Sequence, residues 1–139
     1  VPVWWGFDQV RDLPGWTDAF GTALELVTSG VEGVAASDGT YWLDLEAFFR
    51  NMSVAQVIPD LDAGETLVLT FDHANRATAA SGAFEVRWNG QTVASFAENH
   101  LEMRGVSLIV TAAAENNTLS FVSTGSLDGW GASLDNVQL

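Results

Sequence analysis

The chain has 139 residues, a formal net charge of −13, 47% hydrophobic residues and no cysteine. That is one domain, long enough to bury a core without disulfides and too apolar to be disordered. Its acidity makes nucleic acid and anionic membrane poor partners, and no apolar run approaches the roughly 18 residues of a membrane span.

The positive charge comes from five arginines, with no lysine. Such a balance serves solubility, and it also supplies oxygen donors for a hard cation such as calcium. The opening VPVWWGF reads as the start of a mature or excised domain. Residues 1–23 are irregular and aromatic, with Trp4, Trp5, Phe7, Trp16 and Phe20 and a turn at Pro14-Gly15. These rings either cap one end of a sandwich, or one of them, Trp5 or Trp16, is a stacking platform for a sugar ring. A pyranose offers an apolar C–H face that suits an aromatic surface.

A short strand is predicted over LELVT (24–28), followed by the glycine-bounded GVEGV and a turn at Ser37-Asp38-Gly39-Thr40. YWLDLE (41–46) alternates. Tyr41, Leu43 and Leu45 take one face of that strand, while Trp42, Asp44 and Glu46 take the other. An aromatic beside two carboxylates marks that second face as a candidate functional surface. MSVAQVI (52–58) is the next strand, and Asp60-Leu61-Asp62-Ala63-Gly64 reads as a hairpin turn. It lacks the remaining ligands of a calcium-binding helix–loop–helix. ETLVLTFDH (65–73) is a strand with Leu67, Leu69 and Phe71 inward, ending at Asn75 and Arg76.

FEVRWNGQTVASF (84–96) is the clearest element. Asn89-Gly90 predicts a tight hairpin turn, because both central residues of that turn need positive φ. Phe84, Val86 and Trp88 alternate with Glu85 and Arg87, and Val93 is expected opposite Val86. Residues 99–104 are a connector of no clear form. GVSLIVTA (105–112), NTLSFVST (117–124) and ASLDNVQL (132–139) are strands, and GSLDGWG (125–131) is a loop displaying Trp130. Many short strands separated by turn signals, with no helix, predict an all-β antiparallel sandwich of the jelly-roll kind.

Little here supports an enzyme. There is no nucleophile elbow, and His73 and His100, the only histidines, lack the spacing of a zinc site. A carboxylate pair such as Asp44 and Glu46 is of the type glycosidases use, but a small sandwich rarely forms the deep cleft that chemistry needs. Arg76 stands out in so acidic a chain. Its planar fork suits vicinal hydroxyls or a uronate carboxylate, with a salt bridge to a neighbouring acid as the structural alternative.

The segments PGWT (14–17), DGTYWLDLE (38–46), NMSVAQVI (51–58), AGETLVLTFDHANR (63–76), FEVRWNGQTVA (84–94) and NTLSFVSTGSLDGWGASLDNVQL (117–139) together resemble a galactose-binding-like jelly-roll domain. Such domains recur in secreted bacterial RTX-type proteins and are similar to the DUF642 and carbohydrate-binding-module families. The usual opening Asn-Gly-x-Phe-Glu strand is absent, with Val1–Phe7 in its place, and His73 stands where relatives tend to have Tyr.

The resemblance implies one extracellular module over residues 1–139. It implies a non-catalytic, monomeric unit of a larger enzyme or adhesin that binds a polysaccharide or other glycan. Trp42, Asn75, Arg76, Trp130, Trp16 and Trp5 are the ligand-binding candidates. It also implies a structural calcium ion, with Asp135 as the principal ligand and Asp8 and Asp38 beside it. The alternative is a spacer or protein-binding domain of a large calcium-dependent surface adhesin.

Overall fold

The computed structural model describes residues 7–10, 13–18, 24–47 and 50–139, the first of these segments by its backbone alone. In chain order the strands are β1 (Phe7–Val10), β2 (Thr17–Asp18), β3 (Leu24–Thr28), β4 (Tyr41–Asp44), β5 (Glu46–Ala47), β6 (Arg50–Asn51) and β7 (Ser53–Ile58). They continue with β8 (Thr66–Asn75), β9 (Phe84–Trp88), β10 (Gln91–Phe96), β11 (His100–Thr111), β12 (Asn117–Ser123) and β13 (Ser133–Gln138). The one helical turn among the described residues is a 3₁₀ turn at Val31–Gly33.

Two antiparallel sheets face each other. The larger has the order β1-β3-β4-β13-β8-β11, the smaller β10-β9-β12-β7-β2, and β5 and β6 form a separate two-stranded ribbon. This is the antiparallel jelly-roll sandwich that the alternating pattern predicts. β9 and β12 show why it forms: every second residue is buried, so each strand has one face for the core and one for solvent. Phe71, Phe84, Phe121, Leu69, Leu119 and Val86 meet between the sheets, with Met52 and Leu45 from the ribbon region. Phe71 packs edge-on against Phe121 at 5.2 Å and Phe84 at 6.3 Å, the geometry the ring quadrupoles favour.

The hairpin turns at Asn89 (φ 51°) and Gly90 (φ 79°), as the dipeptide requires. Its register differs from the expectation in one place. Ala94, not Val93, lies opposite Val86, because the ladder shifts between Thr92 and Ala94. Val93 is therefore extra in the strand and points to solvent, as a bulged residue does. Residues 100–104, predicted as a connector, are the first part of β11, which runs beside β8 with a shift between His100 and Arg104.

A second, smaller core lies on the other side of the large sheet. Val27, Trp42 and Ala74 pack there under Val34, and the Trp42 indole N–H donates to the Val34 carbonyl at 3.2 Å. The segment that follows β3 thus folds back over the sheet. Both faces of residues 42–46 are consequently buried, and the face carrying Trp42, Asp44 and Glu46 is not the open surface that the alternation suggests.

Candidate functional site: a buried arginine under an exposed tryptophan

Arg76 follows directly on β8, and its side chain is only 2% exposed. Its guanidinium lies between two indoles, 5.0 Å from the Trp42 ring centre and 5.2 Å from that of Trp130. Nη2 donates to Asp44 Oδ2 at 2.6 Å, and Nη1 to the Gly131 carbonyl at 3.2 Å. Nε faces Glu32 as an ion pair rather than as a directed hydrogen bond. Glu32 reaches it from the 3₁₀ turn at φ 54°, a left-handed conformation uncommon for a residue with a side chain. A desolvated cation needs this many partners, because an unpaired buried charge is strongly destabilising.

The same partners shape the loop at 125–131. Glu46 Oε1 accepts the Gly129 N–H at 2.7 Å, and Asp128 Oδ1 accepts the Trp130 N–H at 3.1 Å. Ser81 Oγ donates to Asp128 Oδ2 at 2.5 Å. At Gly131 a Cβ would collide with the Glu46 backbone nitrogen and with Asp44 Oδ1, so the loop closes tightly on β4 and β5. Trp130 is left 41% exposed, stacked on a fixed cation and held through its own backbone. The arrangement is an exposed aromatic face backed by Arg76.

Asp44 is enclosed beneath it. Burial pushes its carboxyl up to about 7, against the opposing pull of Arg76 and of the Glu46 N–H that it accepts. Asp44 and Glu46 are both buried, with Asp44 engaged by Arg76 and Glu46 by Gly129. They do not flank an open cleft in the way two glycosidase carboxylates do.

The remaining sequence candidates lie elsewhere. Asn75 is buried, and its amide is spent on backbone: it donates to the Thr78 and Glu98 carbonyls at 2.8 and 2.6 Å and accepts the Ala77 N–H. Trp16 packs on Phe121. It also lines a cleft of about 300 Å³ with Tyr41, Gln56 and the Asp135-Asn136 bulge. Trp5 lies outside the described residues. Trp42, Arg76 and Trp130 are therefore brought together, and Trp16 and Asn75 are not part of that group.

For the metal candidates, Asp135 Oδ2 accepts the backbone N–H groups of Ser37 and Asp38 at 2.7 and 3.0 Å, and Oδ1 accepts that of Asn136. Asp72 Oδ2 accepts the Ser37 hydroxyl at 2.6 Å. This network ties the loop at 35–40 to β13. Asp8 belongs to β1, three strands from β13 in the sheet order, or about 14 Å at the usual strand spacing. Asp72 and Asp135 converge on the Ser37 hydroxyl, at 2.6 and 3.3 Å, but Asp38, Asp72 and Asp135 do not form a three-carboxylate group among the described residues, so they do not make a preformed calcium cage.

The chain is 34% identical over 126 residues to a multifunctional-autoprocessing repeats-in-toxin protein of Vibrio cholerae serotype O1. It is 36% identical over 126 residues to the protein of the same name from Vibrio vulnificus. The chain is a jelly-roll domain homologous to a segment of RTX toxins. Both matches take in 88% of the chain, which spans only 3% and 2% of those relatives. No family model matches. Among solved structures, the fold is shared with a family 35 carbohydrate binding module from Clostridium thermocellum. That match has a TM-score of 0.61 and 16% identity, over 95% of this chain and 96% of that one. Carbohydrate-binding module CBM36, solved with calcium and xylotriose, matches with a TM-score of 0.60 and 17% identity over 95% and 97%. CBM35 of Paenibacillus barcinonensis matches with a TM-score of 0.55 and 20% identity over 95% of each chain.

Proposed function

We propose that this RTX-related domain is a non-catalytic glycan-binding module of a larger secreted protein. The observation that carries the reading is Trp130, a 41% exposed indole seated over a buried arginine that Asp44 and Glu32 hold in place. Sugar recognition favours such a preformed aromatic platform, because little side-chain freedom is lost on binding. Arg76 acts here as the support of Trp130 and not as a ligand donor. The carbohydrate-binding modules that share the fold agree with the reading, and the enclosure of Asp44 and Glu46 supports a non-catalytic role.

Calcium is part of the proposal as a structural ion. Asp72 and Asp135, whose carboxylates meet at the Ser37 hydroxyl, are its candidate oxygen donors. The test is titration of the folded domain with soluble polysaccharides, read by tryptophan fluorescence, in calcium and in EDTA. Trp130→Ala is expected to abolish the response while moving the melting temperature little. A response that survives in Trp130→Ala overturns the site.

A second reading, a spacer or protein-binding domain of a surface adhesin, is favoured by one observation. Val68 and Ile109 pair across β8 and β11 and are 55% and 73% exposed, an apolar stripe of the kind protein contacts use. Protein that is folded yet silent to every glycan supports this reading instead.

A further inference from the structure

The chain's only two histidines lie 27 residues apart in sequence but meet in the fold. His73 is on β8, His100 opens β11, and the irregular register between these strands brings their rings to 4.8 Å, edge to face. Both are buried. Glu98 reaches in from the preceding loop, with Oε2 3.5 Å from His100 Nε2. The ligand-type atoms of His73, Glu98 and His100 all lie within 4.8 Å of one another, the only such group of three among the described residues.

Two details separate this group from an ordinary polar cluster. His100 Nδ1 lies 2.9 Å from the Glu102 carbonyl. That bond fixes the tautomer with the proton on Nδ1 and leaves a lone pair on Nε2, as the outer hydrogen bond of a metal-bound histidine does. His100 Nε2 is then buried without a hydrogen-bond partner, a cost that native structures seldom leave unmet. The surroundings are prepared as well. Phe84 and Phe96 pack on His73 at 5.4 and 4.9 Å, which seats its ring against the core. Asn75, buried beside it, donates to the Glu98 carbonyl and so holds the backbone that carries the third ligand.

We propose that His73, Glu98 and His100 bind a divalent transition metal of the zinc type, with a fourth position open to water. Two imidazoles and a carboxylate match the donor set zinc takes, and they are a poor set for calcium, which wants six or more oxygens. Zinc bonds of about 2.0–2.2 Å require the ligand atoms to close in. Glu98, whose side chain is 56% exposed, is free to make that movement. This site is independent of the Trp130 platform and does not rest on the glycan-binding reading.

The experiment starts from metal-free protein and titrates zinc chloride by calorimetry and thermal melting, with cobalt(II) absorption as a geometry probe. One zinc per chain, a raised melting temperature and the visible bands of four-coordinate cobalt are expected. Glu98→Gln, at a solvent-facing position, and His100→Gln are each expected to weaken zinc at least about tenfold without unfolding the metal-free protein. Circular dichroism checks that folding. No zinc uptake by the folded wild type overturns the proposal. Unchanged affinity in both variants also overturns it, since it would place the ion on scattered surface carboxylates.

Discussion

At the scale of single residues, Arg76 and Asp44 decide how the rim of the sandwich is built. Asp44 holds its proton more tightly when folded, at about 7, than the ordinary 3.8 of an exposed aspartate. Its contribution to stability is therefore complete below about pH 4 and falls as the pH rises through about 7. Asp44→Asn cannot ionise and removes that dependence. Melting curves from pH 4 to 8 should show the wild type losing stability relative to Asp44→Asn up to about pH 7, with a constant difference above. Parallel profiles would mean that Asp44 is charged throughout in its pair with Arg76. The Arg76 and Asp44 pairing was foreseeable only in kind. A lone arginine in an acidic chain calls for a carboxylate, but the choice of Asp44 and Glu32, and the stacking on two indoles, come from β8 and β4 being brought near each other in the large sheet.

At the scale of elements, the loop at 125–131 is seated by glycine. Gly131 lies where any Cβ meets β5 backbone. Gly131→Ala should push the loop outward, lower stability by about 1–3 kcal/mol and weaken glycan binding along with it. Retained binding at full affinity in a chemical-denaturation-verified Gly131→Ala would show that the platform does not depend on this seating. Much of the element pattern was legible in sequence. The 84–96 hairpin carries its own turn dipeptide and its own alternation, and β8 and β12 alternate clearly.

What sequence did not show were departures from simple alternation. The bulge at Val93 and the long β11 depend on partner strands. So does the burial of both faces of residues 42–46, which arises because a distant segment covers the outer side of the sheet. The same limit hid the histidine pair, since metal spacing along the chain is blind to neighbours across a ladder.

At the scale of the whole molecule, a chain of net charge −13 folds as a sandwich whose recognisable relatives are small parts of far longer toxins. The jelly-roll class and the RTX relationship were both readable from the ordered motifs, because those motifs lie on the strands that build the two sheets. The ligand set was less readable. Of the expected group, Trp42, Arg76 and Trp130 come together, with Trp130 alone offering an exposed face, while Asn75 serves the backbone of Glu98.

The central claim, glycan binding through Trp130, is tested most directly by a glycan array on the folded domain and on Trp130→Ala. Each is run in calcium, in EDTA, and after add-back of calcium or zinc separately. A specific glycan class bound by the wild type and lost in Trp130→Ala is expected, with any loss in EDTA restored by calcium. A blank array on folded wild type, or a hit that persists unchanged in Trp130→Ala, would contradict it.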